Sequence, residues 1–199
     1  MKNFMNMICQ RFFRKTFQVT VICGLILLMS GCKFIRKEKL LFTVRHEYGR
    51  VLDFSWSGKQ VLADTVITHF DIQKPITIVS YIDSKLCPEC FSKYLKGAEK
   101  YVNQFHSDSV QYVCVAYPRP IEDLQYALTL SETDPNKVMI VYDCDDRYLT
   151  VNSIKKLSDG FNVFLIDKKH KVRLLGDPIR SESMYDLCKE TVVSMLNEL

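Results

Sequence analysis

No aspartate or glutamate occurs among the first 31 residues, whereas Lys2, Arg11, Arg14 and Lys15 are basic. The uncharged run behind them, Phe17 to Gly31, is short, since crossing a bilayer takes about 20 apolar residues at the helical rise. That argues against a permanent span. A basic start, an apolar stretch from Val19 to Met29 and then small residues have the layout of a removable secretory signal over residues 1–31. The chain also lacks internal repeats and low-complexity segments, which excludes solenoids and biased tails. A basic excess is missing where it would count. Taking away residues 1–31 removes four positive charges and no negative ones, leaving 27 − 4 = 23 basic against 23 acidic residues. The net charge of +4 therefore belongs to targeting, and no nucleic-acid partner is expected. The remaining 199 − 31 = 168 residues suit one domain with one core.

The apolar run ends in Met29-Ser30-Gly31-Cys32, which resembles the lipobox of bacterial lipoproteins, with methionine where leucine is commoner. The resemblance implies that Cys32 becomes the N-terminus and carries diacylglycerol and palmitate-type acyl chains. At about 0.8 kcal/mol per buried methylene, a multiply acylated cysteine holds a protein firmly on a membrane. The expected location is the bacterial cell envelope, lipid-anchored, with the domain facing the periplasm. Residues 32–40 form the expected tether, in which Lys33 to Lys39 are a short basic spacer.

Of eight cysteines, Cys9 and Cys23 leave with the signal and Cys32 is lipidated. Cys87, Cys90, Cys114, Cys144 and Cys188 remain, an odd number that excludes a fully disulfide-stapled scaffold. Cys87 and Cys90 are best placed to pair, with only two residues between them. Cys114 and Cys188 read as small core side chains, and Cys144, between two aspartates, as a loop residue.

Residues 41–74 read as an N-terminal extension on one edge of the sheet, with strand-like pieces at Gly49 to Ser55 and Gln60 to Phe70. Strand and helix then alternate over residues 75–199. Ile76 to Ile82 is a buried strand rich in β-branched residues. Cys87 to His106 is a helix, with Phe91, Tyr94, Leu95, Ala98, Tyr101, Val102 and Phe105 on one stripe and Pro88 in its first turn. Val110 to Tyr117, Val138 to Tyr142, Phe161 to Asp167 and Val172 to Leu175 follow as strands. Ile121 to Leu130, Arg147 to Leu157 and Ser183 to Leu196 are expected helices. This order predicts an α/β fold, a mixed central sheet with helices on both faces.

Cys87-Pro88-Glu89-Cys90 falls between a buried strand and a helix. A thiol at a helix N-terminus meets unpaired N–H groups and the positive end of the dipole, which favour thiolate. Cys87 is thus the expected nucleophile, and Cys90, one turn on and facing inward, the resolving thiol. Glu89 opposes ionisation of its neighbour. No metal is expected: His170 sits in a lysine-rich turn, and His46, His69 and His106 lack ligand spacing to the pair. Two cysteines alone would fit only an open copper carrier.

With Phe164-Leu165-Ile166-Asp167-Lys168-Lys169-His170-Lys171-Val172 as a penultimate hairpin, the region from Pro75 to Leu196 resembles the thioredoxin-like thiol-disulfide oxidoreductases, in particular the membrane-tethered lipoprotein branch of Bacteroidetes-type bacteria. The resemblance implies a three-layer thioredoxin-like sandwich with a short N-terminal β extension. It also implies disulfide exchange through Cys87 and Cys90 without a cofactor, with protein thiols or disulfides, or a membrane electron donor, as partners. Pro88, Glu89, Asn162 and Val163 would border the substrate groove. Two features depart from the family: Asn162 or Val163 stands where a cis-proline is usual, and Leu86 replaces the aromatic residue before the first cysteine. The competing reading is a redox-inactive thioredoxin-fold lipoprotein acting as a binding or structural module. Ser80 stands where peroxide-reducing relatives have proline, which disfavours that chemistry.

Overall fold

In the computed structural model of the chain, the residues described are 46–83, 86–106, 108–117, 119–154 and 162–199. The expected signal, Cys32, the tether and positions 41–45, 84, 85, 107, 118 and 155–161 lie outside them. The described strands are β1 (Lys59–Val61), β2 (Val66–Ile67), β3 (Ile76–Ile82), β4 (Val110–Ala116), β5 (Val138–Tyr142), β6 (Val163–Asp167) and β7 (Val172–Leu175). They form a seven-stranded sheet in the order β2-β1-β5-β4-β3-β6-β7. The central β3, β4 and β5 run parallel, and the flanking strands pair antiparallel. All seven residues of β3 and of β4 are buried. Strands covered on both faces need apolar residues at successive positions, and Ile-Thr-Ile-Val-Ser-Tyr-Ile and Val-Gln-Tyr-Val-Cys-Val-Ala nearly supply them.

One face carries three helices: α1 (Pro88–Val102), α2 (Ile121–Ser131) and, numbered last in the chain, α4 (Glu182–Asn197). Alternation along the strands aims Ile76, Ile78, Tyr112, Cys114, Ile140 and Leu165 into one core with Phe91, Leu95, Ala98, Leu124, Leu128 and Val192. The helix expected over Cys87 to His106 is α1 followed by a 3-10 turn at Asn103–Phe105. In α4 the buried line is narrow: Cys188, Val192 and Met195 are inside, whereas Leu187 is 45% exposed.

The second face carries α3 (Arg147–Val151), a single short helix where a longer one over Arg147 to Leu157 was expected. Asp143 is fully buried, and its carboxylate accepts the N–H groups of Arg147 and Tyr148 at 2.9 and 2.8 Å, tying down the helix start. Left-handed residues bound it, Asp146 at φ 54° and Ser153 at φ 47°.

The segment from Glu47 to Ile72 covers the rest of this face and corrects the expected extension. Gly49 to Ser55 is not a strand. It makes a single bridge, Val51 to Lys171, with Gly49 N–H donating to Val172 O at 2.8 Å and Leu52 N–H to His170 O at 2.9 Å. An Asx turn then bends it away, Ser55 N–H donating to the Asp53 carboxylate at 2.7 Å. Gln60 to Phe70 is broken by a turn closed by Leu62 N–H on Thr65 O, leaving the short hairpin β1-β2 on the free side of β5. The extension thus reaches both edges of the sheet. Between them Trp56 packs on Phe70 and Tyr148, with centroids 5.0 and 6.1 Å apart, and Tyr81 stacks on Tyr148 at 6.3 Å. Gly58 lies so close to Trp56, Phe70 and Val141 that no Cβ fits there. Glu47–Leu199 forms one compact unit.

Candidate functional site

The carboxyl ends of parallel strands are where open α/β sheets place their sites, because the loops there diverge and helix N-termini point outward. Here that end gathers the loop after β3, the loop after β4 and Asn162, which precedes β6. Tyr117 N–H donates to Ile82 O at 3.1 Å and Tyr81 N–H to Asn162 O at 2.9 Å, so the three segments are stitched together.

Cys87 is the N-cap of α1, with extended φ −64° and ψ 156°. Its sulfur accepts the Cys90 N–H at 3.2 Å, and its carbonyl takes the first helical bond, from Phe91 at 2.8 Å. Pro88 occupies the first turn, where a missing N–H costs nothing. Cys87, Glu89 and Cys90 are exposed and Pro88 half-buried. Two expectations are corrected here. Cys90 does not face inward: the buried stripe begins one residue later, at Phe91, and a step of one residue turns a side chain about 100° around the helix. Nor is the Cys87 thiol acidified. Its pKa lies above the ordinary thiol value, chiefly because of the Cys90 side chain, with burial and Glu89 adding to the rise. The Cys90 N–H lowers it, but not enough. With two thiols this close, protons leave the pair rather than either member alone, and the second is held more tightly.

Val163 does not border a groove. Strand alternation turns it inward beside Leu165, and it is 3% exposed within the core. Asn162 is half-buried at the sheet end, bonded through its carbonyl to β3. The described residues contain no cis peptide bond.

Two features of the site were missed in the sequence. Arg119, in the loop after β4, is 7% exposed. One guanidinium nitrogen, Nη2, donates to Leu86 O and, at 3.3 Å, to Asp83 O. The group lies over the Phe91 ring, 5.6 Å from its centroid, while Nη1 is buried without a partner. Arg119 therefore ties the segment leading into Cys87 to the neighbouring loop. The signal available in the sequence was an arginine framed by Pro118 and Pro120 at a strand end. The second feature lies one turn beyond Cys90. Tyr94 OH donates to the Asp177 carboxylate at 3.2 Å and meets Tyr112 OH at 2.7 Å, and Arg180 closes on Asp177 at 3.5 Å. Burial raises the pKa of Asp177 and pushes both tyrosines well up. Bonds of this kind contribute about 1 kcal/mol each and fix α1 against the sheet and the loop after β7.

All five described cysteines are free thiols. Cys114 is buried, accepts from Ser80 Oγ at 3.4 Å, and burial pushes its pKa up to about 12. Cys188 is buried in α4, with its pKa pushed up to about 11, again by burial. Cys144 is exposed. Among the described residues no three His, Cys, Asp or Glu side chains cluster as metal ligands, and no helix is long and apolar enough to cross a membrane.

A mixed sheet with a CxxC at the N-terminus of the helix after its central strand, and an antiparallel hairpin before the last helix, defines a thioredoxin-like α/β protein. Solved structures share the architecture. One is the thioredoxin domain of a thiol-disulfide oxidoreductase from Bacteroides vulgatus, with TM-score 0.52 and 19% identity over 72% of this chain and 96% of that one. A protein assigned as a thiol:disulfide interchange protein DsbE from Chlorobium tepidum gives TM-score 0.53 and 16% identity over 74% and 98%. A mutant of PrxQ from Xylella fastidiosa gives TM-score 0.53 and 13% identity over 74% and 96%. At these identities the likeness establishes the fold alone. No family model and no curated protein matches the sequence.

Proposed function

We propose that the chain is a thiol-disulfide exchange protein of the bacterial cell envelope, held there by lipid on Cys32, with Cys87 attacking and Cys90 resolving. The observation that carries the reading is the seating of Cys87 as N-cap of α1 with its sulfur 3.2 Å from the Cys90 nitrogen, at the carboxyl end of a thioredoxin-like sheet. Both thiols are exposed, so a substrate sulfur can reach them.

In the reducing direction the Cys87 thiolate attacks one sulfur of a substrate disulfide. That bond breaks, and the second substrate sulfur leaves as thiolate. The Cys90 thiolate then attacks the Cys87 sulfur, the mixed disulfide breaks, and the first substrate sulfur leaves. Two electrons pass from the pair to the substrate, and the two protons lost by Cys87 and Cys90 end on the substrate thiols. The oxidising direction is the reverse. Protein thiols or disulfides, or a membrane electron donor, are the partners this chemistry calls for, and it needs no cofactor. Pro88 and Glu89, between the two thiols in the chain, and Asn162, at the same end of the sheet, are the residues proposed to meet a substrate.

The upward pKa of Cys87 favours one competing reading, a binding module that kept the fold and gave up exchange. The test is the reduction potential of the Cys87–Cys90 pair in glutathione buffers. A value within the oxidoreductase range, roughly −120 to −270 mV, supports exchange. A disulfide more stable than about −300 mV, or a pair that never closes, leaves the binding module.

A further inference from the structure

We propose that the end of the domain opposite Cys87 is a docking surface for anionic lipid headgroups, which holds the thiol pair away from the membrane. The proposal rests on the lipid anchor at Cys32 proposed above. The turn between β6 and β7 carries Lys168, Lys169 and Lys171, all exposed, and none makes an ion pair with a described residue. The acids beside them are occupied: Asp167 accepts the N–H groups of Lys169 and Lys171 and pairs with Arg173 at 3.5 Å, and Glu198 pairs with the same arginine at 3.4 Å. Tyr48 shares a surface cleft with the three lysines and is 60% exposed, and Val51, bridged to Lys171, is 61% exposed. Unpaired lysines around an exposed tyrosine and an exposed valine have the chemistry of an interfacial surface, where cations meet headgroup phosphates and the ring and aliphatic groups settle at the acyl boundary.

Topology places this patch. Asp167, the last residue of β6, pairs with Ile76, the first of β3, whereas Cys87 follows the last residue of β3. The two ends are separated by the length of β3, roughly 20 Å at 3.3 Å per residue. The chain also joins the domain at the lysine end, where Gly49 and Leu52 bond to Val172 and His170. Between Cys32 and Glu47 there are 47 − 32 = 15 steps of chain, a reach of at most about 50 Å. The patch therefore lies at the end of the domain where the chain coming from Cys32 enters it.

Each lysine near an anionic surface favours binding roughly fivefold, so three together shift the docked-to-free ratio on the order of a hundredfold. The full chain carrying its lipid is reconstituted on vesicles of phosphatidylcholine alone and on vesicles that also contain phosphatidylglycerol. Flotation and hydrogen exchange over residues 48–51 and 168–172 are then followed. The expected result is flotation with both vesicles, but protection of these segments only on the anionic ones, lost in high salt and in the K168Q/K169Q/K171Q variant, with Cys87 alkylated at the same rate throughout. Flotation without protection overturns the docking surface and leaves the anchor standing. Protection around Cys87 instead overturns it too, as does protection on neutral vesicles that survives salt. Failure to float with either vesicle removes the anchor and the docking surface together.

Discussion

Replacing Arg119 by alanine is the most direct probe of how the loop before Cys87 is held. The change removes two hydrogen bonds from a charged donor to the carbonyls of Leu86 and Asp83 and a contact with the Phe91 ring. Bonds to charged groups are worth roughly 1.5–3 kcal/mol each when one partner is removed. Part of that loss is offset, because the guanidinium is itself buried with Nη1 unpartnered, and alanine relieves the cost of keeping a charge out of water. The balance is a destabilisation of about 3 kcal/mol, which in a domain of this size lowers Tm by about 6–12 °C. Arg119→Lys should recover little of it, since an ammonium on a flexible stem does not reproduce the planar fork. Urea and thermal unfolding of the variants measure the loss. The pH midpoint for Cys87 alkylation should stay close to where it is, because the chief causes of the thiol's upward shift are Cys90 and then burial and Glu89. An alanine variant within about 0.5 kcal/mol of the parent would refute the bracing role.

Cys90→Ala removes the largest cause of the upward shift at Cys87 but keeps the backbone N–H that lowers it, so the alkylation profile should move to lower pH; an unmoved or raised midpoint contradicts the assignment. Tyr148→Phe should be neutral or stabilising by about 1 kcal/mol, because the Tyr148 hydroxyl is buried without a partner; urea unfolding reads this, and a loss above 1 kcal/mol would mean the hydroxyl is satisfied. In the native protein Cys87, Cys90 and Cys144 should take up an alkylating agent while Cys114 and Cys188 stay unmodified until unfolding, as peptide mass analysis would show. Asp177, whose folded pKa is raised, favours the fold least when ionised. The parent should therefore gain stability relative to Asp177→Asn as pH falls from 7 towards 4, and an opposite slope in urea melts would reverse the sign of its shift.

The elements legible in the sequence are those whose partners are local or repetitive. The strands at Ile76 and Val110 are nearly continuous apolar runs, and α1 carries its stripe at steps of three and four, so burial follows from spacing alone. The pair at Cys87 and Cys90 was legible for the same reason. The path of residues 47–72 was not, because it depends on distant groups: the Asn152 side chain clamps Asp53 through both its N–H and its carbonyl, 99 residues away. Arg119 has the same character, its meaning lying in carbonyls 33 and 36 residues upstream. The outward aspect of Cys90 turned on one residue of helical phase, finer than a stripe read from the apolar positions resolves.

The arm from Glu47 to Ile67 bears on how this sheet behaves among other chains. An open sheet ends in rows of unpaired N–H and C=O groups that invite a strand from a neighbour. Here one segment closes the free side of β5 with β1 and caps the start of β7 with Gly49 to Leu52, leaving the two-residue β2 as the outermost strand on its side. Loss of the arm would open both borders at once and strip Trp56 from Tyr148, so an injury at one end of the chain would show itself as self-association, a route to sticky protein that bypasses the thiols altogether.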